Sequence, residues 1–387
     1  MMKSINYGKQ EITQDDIDAV VNALKADYLT QGPTVAAFED SFKSFVRAEH
    51  AIAVTNATSA LHIANLALGV TGGSRVITTP LSFVATSNSV IYAGGEVKLI
   101  DIDPITYCLD ANRVEDELKK SKSGTYSGII PVSFAGYPVN MEDFKFLANR
   151  YHLWLIEDAC HAPGAKFKKQ DQSWSHTGSS EFADLSIFSF HPVKHIATGE
   201  GGMITTRDAK LAQKLRDLRS HGIVREPSRL SKSDGPWYYE MKSLGYNFRM
   251  PDLLCALGIS QLKRIEANLN RRNEIADNYN LKFKNYPITL PKVKPDSLHA
   301  YHLFVIQTDK RNELYGFLKN KNINCQIHYI PIHTQPYYIE RYGRQSFPLS
   351  EMYYNKTLSL PMYHGMTEIE QNFVIEQICL FFNKQGN

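Results

Sequence analysis

Ser186-Ile187-Phe188-Ser189-Phe190-His191-Pro192-Val193-Lys194-His195-Ile196-Ala197-Thr198-Gly199-Glu200-Gly201-Gly202-Met203-Ile204-Thr205-Thr206 sets one lysine between two short apolar runs, Leu185–Phe190 and Met203–Thr205. Both runs are short and rich in β-branched and aromatic residues, and Pro192 with Gly199, Gly201 and Gly202 bounds the segment between them. They read as two strands joined by a tight loop. A lysine ammonium normally stays in water. Partly desolvated and close to other basic groups, Lys194 would lose proton affinity and become a nucleophile at neutral pH, as bonding to a carbonyl carbon requires.

Upstream, strands and helices alternate. The spacing predicts helices over Thr13–Lys25 (Thr13 as N-cap) and Thr34–Val46, separated by the turn-rich Tyr28-Leu29-Thr30-Gln31-Gly32-Pro33. Strands follow at His50–Thr55, Ser74–Thr79, Glu96–Ile100, Gly128–Ser133 and Leu153–Glu157, with helices at Thr58–Leu68, Ser82–Tyr92, Asn112–Lys120 and Met141–Tyr151 between them. That alternation implies an α/β fold with a largely parallel sheet covered on both faces, and a site beyond the strand C-termini. Past Gly222 it weakens: Ser231–Tyr239 reads as a long loop and Met250–Asn278 as one long helix. A proline-rich shift at Tyr286–Asp296 leads into an α+β segment with a strand His302–Gln307, a helix Arg311–Lys319, a strand Asn324–Tyr329 and a helix Thr367–Phe382. We therefore expect a large domain, residues 13–264, and a smaller C-terminal one, residues 265–387 with 1–12.

Lys+Arg exceeds Asp+Glu by only three over 387 residues, which excludes a polybasic nucleic-acid surface and an acidic tail. The five cysteines are scattered, odd in number and never form C-x-x-C, so neither a disulfide framework nor a zinc site is indicated and no metal is expected. Met1–Tyr7 is not followed by an apolar signal core, and no apolar run approaches the length of a membrane span. A soluble, cytoplasmic protein is expected.

Ser189-Phe190-His191-Pro192-Val193-Lys194 with Thr198-Gly199-Glu200-Gly201-Gly202 resembles the lysine loop of the DegT/DnrJ/EryC1/StrS-type sugar aminotransferases, pyridoxal 5'-phosphate enzymes of fold type I. The resemblance runs from Tyr7-Gly8-Lys9-Gln10 to Ser359-Leu360-Pro361-Met362-Tyr363. It implies a large domain with a mostly parallel mixed sheet and a smaller α+β domain. Lys194 would be the catalytic lysine that holds the cofactor. Such a cofactor also needs an acid at its ring nitrogen, a phosphate cradle and a flat group against the ring. On spacing alone Asp158 fits a helix cap as well as a ring-nitrogen partner, but Glu157–Ala165 resembles the family's ring-nitrogen motif, with His161 near the cofactor's phenolic oxygen.

Thr58 and Ser59 stand where a strand turns into a helix, an anion site or an ordinary helix start. The family writes G-T-x-A there, and this chain has Ala57-Thr58-Ser59-Ala60. Ser189 resembles a further phosphate ligand, and Phe83, a core residue on pattern alone, matches the ring-stacking aromatic. Leu244–Met250 resembles the loop by which a neighbouring subunit completes the phosphate site, through Asn247 or Arg249, which implies a homodimer with shared sites.

Three stretches, Leu29–Pro33, Asp234–Tyr239 and His328–Tyr338, look closest to the branch serving pseudaminic acid biosynthesis. That likeness implies a UDP-linked 4-keto sugar aminated at C4 with L-glutamate as donor, and substrate contacts from Tyr7, Thr30, Gln31, His328, Tyr329 and His333, although on the residues alone the histidines and tyrosines of 328–338 read equally as a packed aromatic strand. The alternatives are the GDP-perosamine and UDP-4-amino-arabinose types, or a non-catalytic sugar-sensing regulator on the same fold, against which the joint presence of Lys194, Asp158 and the phosphate residues speaks. A related dehydratase carries histidine where Lys194 stands. A nicotinamide-dependent reading lacks its G-x-G-x-x-G between strand and helix.

Overall fold

The structure, a computed structural model, describes residues 4–383. The first three and last four residues, assigned above to the small domain, lie outside the described residues.

Seven strands form the central sheet: β1 His50–Val54, β2 Arg75–Thr78, β3 Glu96–Leu99, β4 Gly128–Ile129, β5 Trp154–Asp158, β6 Leu185–Ser189 and β7 Gly202–Thr206. Their order is β1-β7-β6-β5-β4-β2-β3. β7 runs antiparallel to both β1 and β6, and the other pairings are parallel. The apolar runs are continuous because both faces are covered. Ile52, Val54, Ile187 and Ile204 pack on the side of the 57–67 helix, while Ala51, Ala53, Phe188 and Met203 pack with Phe38 and Phe42 of the 33–46 helix. β7 is reversed because the loop carrying Lys194 turns straight back beside β6, registering Gly202 opposite Ser189.

The helices at 14–24, 33–46, 57–67, 111–120, 141–151 and 311–319 lie where the pattern puts them, to within a residue or two. Three expectations are corrected. The helix expected over Met250–Asn278 is two, Asp252–Leu262 and Ile265–Phe283. No proline or glycine marks the break. Arg264 (φ −103°, ψ 2°) is turned to grip Asp16, with Nη1 2.9 Å from Oδ1 and Nη2 2.8 Å from Oδ2. The helix expected from Ser82 starts at Ala85, leaving Ser82 and Phe83 in the turn before it. Of the strand expected over Asn324–Tyr329, only Ile323–Asn324 pairs, in parallel with Ile5–Asn6. One bridge remains between Gln326 and Ser359, after which the chain leaves the ladder and lays His328 and Tyr329 against the main cavity.

A separate apolar core gathers Ile5, Ile275, Tyr279, Phe304, Leu314, Leu358, Val374 and Phe381. We propose the domain boundary at the Lys263-Arg264 break, between this core and the sheet. No helix among the described residues is long and apolar enough to cross a membrane.

Candidate active site

Beyond the C-terminal ends of β1, β2, β5 and β6 lies a cavity of about 880 Å³. This is where a parallel sheet leaves open backbone groups and diverging loops. Its wall includes Thr58 and Ser59 after β1, Phe83 after β2, Asp158 at the end of β5, Ser189 at the end of β6 and Lys194 after it. Tyr7, His328 and Tyr329 close the side nearest the small core.

The Lys194 backbone N–H donates to the His191 carbonyl at 2.8 Å, which closes the tight loop. Lys194 is half-buried, and desolvation of its amine brings its proton affinity down to about 8. Asp158 and Cys160 oppose the shift, and Arg272 adds to it. Its Nζ lies 3.3 Å from His302 Nε2.

Asp158 is fixed from both oxygens: Thr86 Oγ1 donates to Oδ2 at 2.7 Å and the Cys160 N–H donates to Oδ1 at 3.2 Å. A carboxylate so held, buried at a strand end, can keep a proton or a positive ring nitrogen in place. His161 Nδ1 accepts the Ala135 N–H at 3.2 Å, so its proton sits on Nε2, which donates to Tyr329 Oη at 3.2 Å. Burial, with Lys194 nearby, holds the His161 pKa well below the usual histidine value, so the ring is a neutral donor.

The 57–67 helix opens into the cavity. Asn56 Oδ1 caps the Ser59 N–H at 2.8 Å, and Thr55 Oγ1 donates to Ser59 Oγ at 3.1 Å. Gly202 on β7 lies so close that a Cβ there would sit 2.6 Å from the Asn56 carbonyl carbon. The helix N-terminus, with the Thr58 and Ser59 hydroxyls and Ser189 on the same cavity wall, is suited to hold an anion. Phe83 is 58% exposed on the wall, its ring centroid 6.1 Å from that of Tyr329. A large aromatic left bare on a cavity wall is a platform for a flat ligand. Lysine, carboxylate, anion cradle and open ring in one cavity fit pyridoxal 5'-phosphate.

The cavity thus brings together Tyr7, Thr58, Ser59, Phe83, Asp158, His161, Ser189, Lys194, His328 and Tyr329 of the residues expected from sequence. His333 does not join them: it is buried behind the wall, its Nε2 3.0 Å from Glu351 Oε1 and its ring against Phe347. The short turn Ile332–Thr334 points the chain there toward the 348–356 helix. Thr30 and Gln31 are exposed in the turn between the first two helices, and that turn is tied down by Asp252, which accepts the Gly32 and Thr34 N–H groups at 2.8 and 3.1 Å. Asn247 is exposed and bridges to Ser220, while Arg249 is half-buried and bridges to Val54. These four residues are not part of the wall of their own chain's cavity.

Sequence reading missed Thr86 and His302. Thr86 is the second residue of a helix whose start was misplaced. His302 stood at the head of an expected strand, where a lone histidine carries no signal.

The model of the DegT/DnrJ/EryC1/StrS aminotransferase family matches residues 10–379. The spore coat polysaccharide biosynthesis protein SpsC of Bacillus subtilis is 38% identical over 382 residues, covering 96% of this chain and 95% of that protein. The UDP-4-amino-4,6-dideoxy-N-acetyl-beta-L-altrosamine transaminase of Campylobacter jejuni serotype O:2 is 37% identical over 386 residues, 98% of both chains. The solved structure of Helicobacter pylori PseC, an aminotransferase involved in the biosynthesis of pseudaminic acid, superposes with a TM-score of 0.88 at 29% identity, over 99% of this chain and all of that one.

Proposed function

Because this chain belongs to the DegT/DnrJ/EryC1/StrS aminotransferase family, we propose that it moves an amino group from glutamate to C4 of a UDP-linked 2-acetamido-2,6-dideoxy-4-ketohexose of L-arabino configuration. The product would be UDP-4-amino-4,6-dideoxy-N-acetyl-β-L-altrosamine, as the name of the Campylobacter relative supports. The chain is an aminotransferase, and the family's cofactor is pyridoxal 5'-phosphate. The observation that carries the reading is the desolvated Lys194 amine, lowered to a pKa of about 8, sharing a cavity with a doubly anchored Asp158.

Bound pyridoxal phosphate supplies an aldehyde for amines and a ring that takes up the electron pair of a broken C–H bond. We assign the hold on its phosphate to Thr58, Ser59 and Ser189, and the ring face to Phe83. Asp158 keeps the proton on the ring nitrogen, and neutral His161 donates from Nε2 toward an oxygen on the ring. Lys194 holds the aldehyde at rest. Once released, its Nζ takes the proton from the α-carbon of glutamate and later delivers one to sugar C4. An uncharged amine is needed for the first transfer, and burial, by lowering the pKa to about 8, makes a usable fraction of it available near neutral pH. Tyr7, His328 and Tyr329 present hydroxyl and imidazole groups suited to sugar hydroxyls and diphosphate oxygens.

Thr30, Gln31, Asn247 and Arg249 take a second part of the proposal. They stand outside their own cavity, and we assign them to the cavity of a second copy, in a homodimer with shared sites. Cytoplasmic location follows from an anionic nucleotide-sugar substrate and belongs to the same proposal.

The test is an absorbance spectrum of the pyridoxamine-phosphate form mixed with either UDP-4-keto-6-deoxy-L-arabino-HexNAc or GDP-4-keto-6-deoxymannose. Return of the band near roughly 400–430 nm with the UDP sugar alone supports the proposal. Return with the GDP sugar alone moves the chain to the perosamine-forming enzymes, and no band in any state refutes catalysis.

A further inference from the structure

His302 lies 108 residues from Lys194 in sequence, yet its Nε2 meets the amine at 3.3 Å. Its imidazole is buried, with ring centroids 4.4 Å from His161 and 5.8 Å from His195. The other nitrogen, Nδ1, is buried with no hydrogen-bond partner. That orphan decides the tautomer. A buried N–H without an acceptor is disfavoured more than a bare lone pair, so the proton belongs on Nε2. In the uncharged state of the amine, the bond then runs from the imidazole N–H to the Lys194 lone pair.

The backbone around His302 is clamped from two sides. The Ala300 and Leu303 N–H groups donate to the Gly136 and Ala135 carbonyls at 2.9 and 3.1 Å. Gly136 (φ +101°) allows this approach, since a Cβ there would stand 2.8 Å from the His302 nitrogen. On the other side Arg272, fully buried, donates from Nη1 to the Tyr301 and His302 carbonyls at 3.1 and 3.4 Å. These contacts fix where the His302 backbone, and with it Cβ, stands relative to the cavity.

We propose that His302 is a positioning residue for Lys194, its Nε2–H holding the uncharged amine in the cavity in the orientation that reaction requires. The assignment rests on Lys194 being the reactive amine. An ammonium at Nζ would need the opposite tautomer and would leave a proton on the orphaned Nδ1, so His302 also opposes protonation of Lys194. The other titratable and charged groups facing the pair are Asp158 and Cys160 from the end of β5, His161 and His195 beside the imidazole, His328 across the cavity, and Arg272 behind it.

The test is competitive acetylation of the apoprotein with acetic anhydride from about pH 6 to about pH 11, with Lys194 followed by peptide mass spectrometry. It is run on wild type and on His302→Gln. Glutamine can turn its carbonyl toward an ammonium and its amide toward an amine, so the ammonium no longer orphans a proton. The labelling midpoint of Lys194 should rise by about half a pH unit or more while the thermal midpoint stays near that of wild type. A purely structural role would move the thermal midpoint and leave the labelling midpoint in place, which overturns the proposal. If the Gln variant does not fold, His302→Asn, shorter than Gln and smaller than imidazole, carries the same comparison. A wild-type Lys194 that titrates like a surface lysine defeats the reading of Lys194 itself, a failure distinct from an unmoved variant.

Discussion

Replacing Gly202 with alanine tests whether the turn at Asn56 is the phosphate cradle. Gly202 opens β7 where that strand runs past the start of the 57–67 helix. The added methyl would lie 2.6 Å from the Asn56 carbonyl carbon, 2.7 Å from its oxygen and 2.8 Å from the Ala57 nitrogen. All three are backbone atoms, so none can rotate out of the way. Ordinary contact requires the turn to move by about 0.9 Å. Overpacking of this kind costs about 1–3 kcal/mol. A shift near 1 Å in a positioned binding group costs up to about a hundredfold. We therefore expect the Kd of the Gly202→Ala apoprotein for pyridoxal 5'-phosphate to rise about tenfold or more, a loss of ~1.4 kcal/mol or greater. Affinity for pyridoxal, which lacks the phosphate, should stay near its wild-type value. Gly199→Ala is the control. Gly199 has φ +84° and open space around a Cβ, so alanine there costs about 1 kcal/mol of stability and leaves affinity alone. Absorbance titration of each apoprotein, with its thermal midpoint, decides. An unchanged Kd for pyridoxal phosphate in Gly202→Ala refutes the cradle assignment.

Burial lowers Lys194 from 10.5 to about 8, so between those values the unfolded chain binds more protons than the folded one. The cost to the apoprotein is complete below pH 8 and is relieved as pH rises through the window. Lys194→Met should thus stabilise the apoprotein by about 3 kcal/mol at neutral pH and by under about 1 kcal/mol near pH 10 in urea unfolding; an equal gain at both pH values contradicts the burial argument. Mixing inactive Lys194→Ala and Asn247→Ala subunits should restore about a quarter of wild-type turnover if sites are shared, because half of the dimers then carry one intact site. No recovery after subunit exchange, with mixed dimers seen by native mass spectrometry, places Asn247 outside the partner's site. Asp252→Ala strips two backbone N–H groups of their acceptor and should cost about 2–3 kcal/mol, with the sugar KM rising and cofactor affinity unchanged. A shift in cofactor affinity alone would disconnect the Thr30-Gln31 turn from the sugar.

What was legible in the sequence was local. The runs ending at Phe190 and beginning at Met203 are strands because both faces are covered, and that condition leaves its mark on consecutive residues. Asp158 was legible as the polar end of an apolar strand. The helix Ala209–Arg219 was legible too, with Asp208 as its N-cap and Ala212, Leu215 and Leu218 on its buried face, but the reading passed over it. What stayed hidden depends on distant partners. The break at Lys263-Arg264 exists because Arg264 reaches Asp16, nearly the whole length of the large domain away in sequence. His333 and His328 look alike in their stretch, and only the position of Glu351 separates a packing histidine from one on the cavity wall.

The same distance effect explains the electrostatics of the site. Lys194, Arg272, His161, His195 and His302 come together from four separate segments, with Asp158 as the nearby carboxylate. Burial keeps the three histidines neutral, so they add donors and acceptors without adding charge. Arg272 keeps its charge because the carbonyls of Tyr301, His302 and Met362 surround its Nη1, and its pKa falls only to about 10. The surplus charge in the apoprotein is therefore positive, and it is unfavourable. An anionic ligand relieves it: a phosphate at the 57–67 helix adds negative charge to the cavity, and bonding Lys194 to an aldehyde removes a primary amine from it. Apoprotein stability and cofactor affinity are thus two sides of one electrostatic balance, and a substitution that neutralises Lys194 should stabilise the empty protein while weakening its hold on the phosphate.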